Sequence, residues 1–123
     1  KPHTPEAATA RWHAMRGKTG VLHSGHWVIR VDDNGELTAA GEVAASTVSF
    51  IADITDEEIA AYVATGEPLK VAGAFTIDSL GGPFIERIEG DPSTVVGMSL
   101  PTLRRLAGEL GVAWPRLWNR NDL

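Results

Sequence analysis

Apolar and polar positions along this chain follow two different periods. Between Pro5 and Met15, the residues Ala8, Trp12 and Met15 recur at the spacing of an amphipathic helix, with Thr4 placed to cap it, Pro5 at its first position and Gly17 beyond its end. The period then changes. Val21, His23, Trp27, Ile29 and Val31 occupy odd positions, as on a strand, and Gly25 among them predicts a break or bulge. Asp33-Asn34-Gly35 is a hairpin turn, and Val43, Ala45, Thr47 and Ser49 keep alternating on the return strand. Thr55 and Glu58 have capping-box spacing ahead of a helix carrying Ile59, Tyr62 and Val63, which closes at Gly66. Phe84 to Glu89 predicts a further strand. Ser99 or a neighbour opens a last helix with Leu103, Leu106 and Leu110 on one face and Gly111 beyond it. Trp114, Leu117 and Trp118 make the tail apolar enough to pack on something. Helices alternating with strands and one long hairpin predict an α/β class, a mixed sheet with flanking helices in a single domain, residues 1–123, without internal repeats.

Composition narrows the chemistry. Sixteen acidic residues against 11 basic ones give a net charge of -5, which argues against broad nucleic-acid binding but leaves a small phosphorylated ligand open. No apolar run approaches the roughly 20 residues that cross a bilayer, and no charged-then-apolar signal opens the chain, so no membrane partner and a cytoplasmic location are expected. With no cysteine, disulfide frameworks and thiolate metal sites are excluded. His23 and His26 lie three apart, which on a strand means opposite faces, so they predict no zinc site. Asp78-Ser79-Leu80-Gly81 lacks the leading glycine of a nucleophile elbow.

The stretch "TGEPLKVAGAFTIDSLGGPFIERIEG", Thr65 to Gly90, is interrupted by Gly73, Gly81 and Gly82. Glycine admits positive φ and close approach of another group to the backbone, so these positions are either turn chemistry or a ligand-lining loop.

Within that stretch "GEPLKVAGAFTI", then "FIERIEGDPSTVVGMSLP", and the opening "KP" before a helix, stand in the order found in the Maf family. Its members typically read GEPLDKAGAYGIQG, then an ERIEGDYSNVVGLPL-like segment, with a GKP motif upstream. Nearly all of the chain resembles that family. The resemblance implies a nucleoside triphosphate pyrophosphatase related in fold to the inosine triphosphate pyrophosphatases. Such enzymes split a nucleoside triphosphate between its α- and β-phosphates, giving a monophosphate and pyrophosphate, with divalent magnesium or manganese. It further implies house-cleaning of noncanonical or surplus nucleotides, a homodimer and a historical link to septum formation. The family's Ser-x-Ser-Pro-Arg-Arg loop and Asp-Thr aspartate lie before GKP, and neither is in this sequence. Phosphoanhydride hydrolysis needs that charge neutralisation and that carboxylate. The chain is therefore expected to be the C-terminal portion of such a domain, incomplete at its N-terminus, supplying no catalytic residue and inactive alone. The alternative expectation is a noncatalytic interaction module.

Site residues carried over by the resemblance are substrate-binding ones. Lys1 aligns with the GKP lysine, whose ammonium would act as a point charge on triphosphate oxygens. Gly73 keeps the backbone of the GEPL segment, whereas the family's Asp-Lys pair is replaced by Lys70-Val71, which moves the lysine one position. Glu67 matches the family and is otherwise a polar residue beyond a helix end. Asp78 falls where the family has glutamine, a position associated with base selection. A carboxylate only accepts hydrogen bonds and suits the adjacent donors of a guanine edge, or Asp78 is a turn residue.

Overall fold

A computed structural model describes residues 1–118. The first helix, α1 (Pro5–Met15), is capped by the Thr4 hydroxyl, which accepts from the Ala7 amide at 3.2 Å. Strands β1 (Thr19–Val31) and β2 (Leu37–Phe50) form the long hairpin. At its tip the Asp32 carboxylate takes the amides of Asn34 and Glu36, each at 2.9 Å. Helix α2 (Asp56–Ala64) begins with the predicted reciprocal Thr55–Glu58 box. Strand β3 (Ile85–Glu89) and helices α3 (Pro92–Val96) and α4 (Leu100–Glu109) complete the elements. The α/β class is as expected, and the three described strands pair only antiparallel, in the order β1-β2-β3.

The core is built around Trp12, which is fully buried on α1. Its indole meets Phe50, Tyr62 and Phe84 edge-on, with centroids 5.4, 5.6 and 5.9 Å away. Such pairs contribute about 0.5–1.5 kcal/mol each beyond the area they bury. Val48, Ile54, Ile59, Val63 and Phe75 fill the space around it.

One sequence expectation for the hairpin is corrected. Pairing runs unbroken through Gly25, which faces Val43, and the irregularity falls instead between Ser49 and Phe50, where β2 bends to take up β3. The alternating period is right, but the apolar odd face is bare: Val21, Trp27, Ile29, Val31, Leu37 and Val43 are each more than half exposed. The opposite face packs on α3 and α4, largely through polar contacts. Ser24 donates to the Gly97 carbonyl at 3.0 Å, Ser46 to that of Asp91 at 2.8 Å and Arg30 to that of Leu110 at 2.6 Å. His26 Nε2 accepts the Ser99 amide at 2.8 Å, while His23, three residues earlier, is exposed. Hydrogen-bond partners rather than hydrophobicity thus select the inner face.

Candidate functional site

The chain from Gly66 to Phe84 contains no strand, only three short 3-10 turns, Glu67–Leu69, Ala72–Ala74 and Gly82–Phe84. Gly66 takes φ 80° to reverse the chain after α2, and Pro68 is buried beneath the turn. The His3 amide donates to the Leu69 carbonyl at 2.8 Å, which joins the start of the chain to this segment. Gly73 and Ala74 follow with φ 77° and 63°. A left-handed residue with a Cβ costs roughly 1–2 kcal/mol, so Ala74 needs an external hold. Trp12 supplies it, its indole N–H donating to the buried Ala74 carbonyl at 2.7 Å.

The next loop closes on one carboxylate. Glu67 accepts from the Tyr62 hydroxyl, from the Leu80 amide at 3.3 Å and from the Gly81 amide at 3.1 Å, while the Tyr62 oxygen accepts the Thr76 amide at 3.2 Å. Partial burial pushes the Glu67 carboxyl upward, but hydrogen bonds from Ser79, Tyr62, Leu80 and Gly81 outweigh it and hold the group below its ordinary range. Burial first, and the hydrogen bond to Glu67 second, push the Tyr62 phenol well above its ordinary value, so it remains a donor.

Val71, Ala72, Phe75 and Thr76 line a cleft of about 280 Å³ together with residues 94–97. Strand β1 lines it at Leu22, His23 and Ser24, and among the described strands β1 is an edge strand that pairs only with β2. Val71, Ala72, Phe75 and Val95 give it apolar walls, while Ser24, Thr76 and Thr94 bring hydroxyls. Asp91 fixes the far wall. It accepts from the Ser93 amide and hydroxyl at 3.1 and 2.6 Å and from the Thr94 hydroxyl at 3.1 Å. The hydroxyls of Ser93 and Ser99 lead the contacts that bring its pKa down to about 2. Apolar faces around a few polar groups and an unpaired strand edge suit a flat heteroaromatic ring with a hydrogen-bonding rim.

A family model described as Maf-like protein matches residues 1–110. The chain belongs to the Maf family. Curated relatives include proteins named nucleoside triphosphate pyrophosphatase. That of Leifsonia xyli subsp. xyli is 64% identical over 120 residues, covering 98% of this chain and 55% of the relative. That of Salinispora tropica is 59% identical over 120 residues, or 98% and 51% of the two chains. That of Streptomyces avermitilis is 55% identical over 122 residues, or 99% and 57%. The chain spans about half the length of the curated relatives it matches.

On this Maf chain the carried-over residues fall in different places. Glu67 and the loop bearing Asp78 come together, with the carboxylate of Glu67 turned inward onto that loop. Asp78 itself is exposed in the turn, outside the cleft. Gly73 does not line the cleft but a neighbouring hollow that shares Leu22 and Phe75 with it, and a Cβ there would meet Phe75 at 3.1 Å and Leu22 at 3.2 Å. Lys1 is exposed, two residues before the tie to Leu69. Lys70 is exposed at the end of a 3-10 turn, and it is Val71 that lines the cleft. Sequence reasoning missed His23, Ser24, Thr76 and Thr94 as cleft residues. The 93–97 segment did stand out by its motif, but only folding brings it opposite residues 71–76. Among the described residues no three His, Asp or Glu side chains assemble as metal ligands, so the described donors do not by themselves form a site for a divalent ion. No helix among the described residues is long and apolar enough to cross a membrane.

Proposed function

We propose that this chain is the substrate-binding portion of a nucleoside triphosphate pyrophosphatase, in which the cleft between residues 71–76 and 94–97 takes the nucleobase. The observation that carries this reading is that two distinctive family segments, distant in sequence, line one cleft. The names of the relatives support the reaction, conversion of a nucleoside triphosphate and water to the monophosphate and pyrophosphate. Lys1, tied to the 67–69 turn through His3, supplies a positive charge for the phosphates. Gly73 leaves room for Phe75 and Leu22, two residues that line the cleft. Asp78, on the exposed turn outside the cleft and two residues beyond Thr76, reads as an acceptor the rim of a base projecting from the cleft, and favours guanine over thymine or uracil. A magnesium or manganese ion bound with the triphosphate would neutralise phosphate charge, and the family's water-activating carboxylate is not among the residues of this chain, whose part is to bind rather than to hydrolyse. A cytoplasmic location goes with that substrate. The bare hairpin face, uncharged and alternating large residues with Gly25, Ala39, Gly41 and Ala45, is the surface proposed for a homodimer.

The test is titration of the chain with GTP and dTTP in the presence of magnesium, followed by NMR shifts of residues 71–76 and 94–97. Both segments are expected to respond, and Asp78→Gln is expected to shift the GTP:dTTP affinity ratio toward dTTP by about 1–3 kcal/mol, the cost of one altered hydrogen bond. Absence of binding at millimolar nucleotide would overturn the reading, and an unchanged ratio would make Asp78 a turn residue.

A further inference from the structure

The carboxylate of Glu67 has no obvious duty toward a triphosphate, since two anions repel and its oxygens are already engaged. Its partners come from two separate places in the chain. Tyr62 lies on the last turn of α2, five residues before it, and Leu80 and Gly81 lie more than a dozen residues after it. Because the Tyr62 hydroxyl donates to Glu67 and accepts from the Thr76 amide, the carboxylate controls both ends of the 76–81 loop, one directly and one through the phenol.

We propose that Glu67 is a positioning residue, an internal anchor that closes the 76–81 loop and through Thr76 sets one wall of the cleft. The glycines of the stretch agree with this. Gly81 has an ordinary φ of -76°, so it is not needed for a left-handed turn. A Cβ there would lie 2.5 Å from the Tyr62 hydroxyl and 2.9 Å from the Thr76 carbonyl, and one at Gly82 would lie 2.8 Å from the Ile77 carbonyl. The backbone is kept clear so that the loop can fold down onto the phenol and carboxylate. The consequence for the cleft rests on the nucleotide-binding reading above; the closure of the loop does not.

Glu67→Gln tests both parts. The amide of glutamine offers one acceptor oxygen and a donor NH₂ where the loop presents only donors, so at least one loop amide loses its partner. Residue-resolved hydrogen exchange is expected to rise at least ten-fold at Thr76, Leu80 and Gly81, with Ile59 and Leu106 unchanged, and nucleotide affinity is expected to fall at least three-fold. Tyr62→Phe is expected to raise exchange at Thr76 with a smaller effect at Leu80. Unchanged loop exchange, or an equal rise at Leu106, would overturn the anchor. Loss of nucleotide binding with unchanged exchange would make Glu67 a substrate ligand instead, and unchanged affinity with a loosened loop would separate the anchor from the cleft. If the unsubstituted chain binds no nucleotide, the functional reading fails and the exchange pattern still decides the anchor.

Discussion

Trp12→Phe should cost this protein more than the change of one ring for another suggests. The indole N–H is the donor for the buried Ala74 carbonyl, at 2.7 Å. Phenylalanine has no such donor, and a buried acceptor left unpaired costs about 1–3 kcal/mol. The smaller ring also leaves a void of some tens of Å³ among Phe50, Tyr62 and Phe84, which at ~24 cal/mol per Å³ adds about 1 kcal/mol. Together these give about 2–4 kcal/mol, which at ~4 °C per kcal/mol for a chain of this size lowers Tm by roughly 8–16 °C. Thermal and urea unfolding followed by circular dichroism measure it. Ala74→Gly provides the control. It relieves about 1 kcal/mol of left-handed strain and removes a buried methyl worth ~0.8 kcal/mol, so it should be nearly neutral alone. A loss below about 1 kcal/mol for Trp12→Phe would show that the indole does not hold the 73–74 turn, and the link drawn from core to cleft would fail.

Two further outcomes are expected. Asp91, with its pKa down to about 2 against an ordinary 3.8, stabilises the fold fully above the unfolded value and loses that contribution as pH falls from 3.8 toward 2. The stability difference between the unsubstituted chain and Asp91→Asn should therefore shrink across that window in pH-dependent urea unfolding; a constant difference would refute the assignment. Trp27→Ser removes a side chain that is 68% exposed and lies over Gly41, so it should leave Tm within a few degrees while reducing self-association in sedimentation velocity. An unaltered sedimentation profile would free the hairpin face of that role.

What this sequence determined by itself was everything with a local cause. Thr4, the Thr55–Glu58 box and Ser99 open helices because each supplies its own partner for an amide within three residues. Asp32 to Gly35 turns the hairpin, and Gly66 ends α2, for equally local reasons. The motif segments likewise revealed the family before any contact was known. Tertiary structure decided what depends on partners distant in sequence. Alternation marked both faces of the hairpin, but whether the apolar or the polar face turns inward was decided by Ser99, Gly97, Leu110 and Asp91, which meet it from more than 40 residues away. Glu67 looked like a substrate residue or an idle surface acid, since nothing near it in sequence reveals that Leu80 and Gly81 will point amides at it. The cleft, too, exists only once residues from 71–76 and 94–97 have been folded together beside Leu22 and Ser24 of β1. A period or a cap is set by bonding geometry within one or two turns of chain, whereas a burial choice, an internal anchor or a cleft is set by which distant groups can satisfy one another in space.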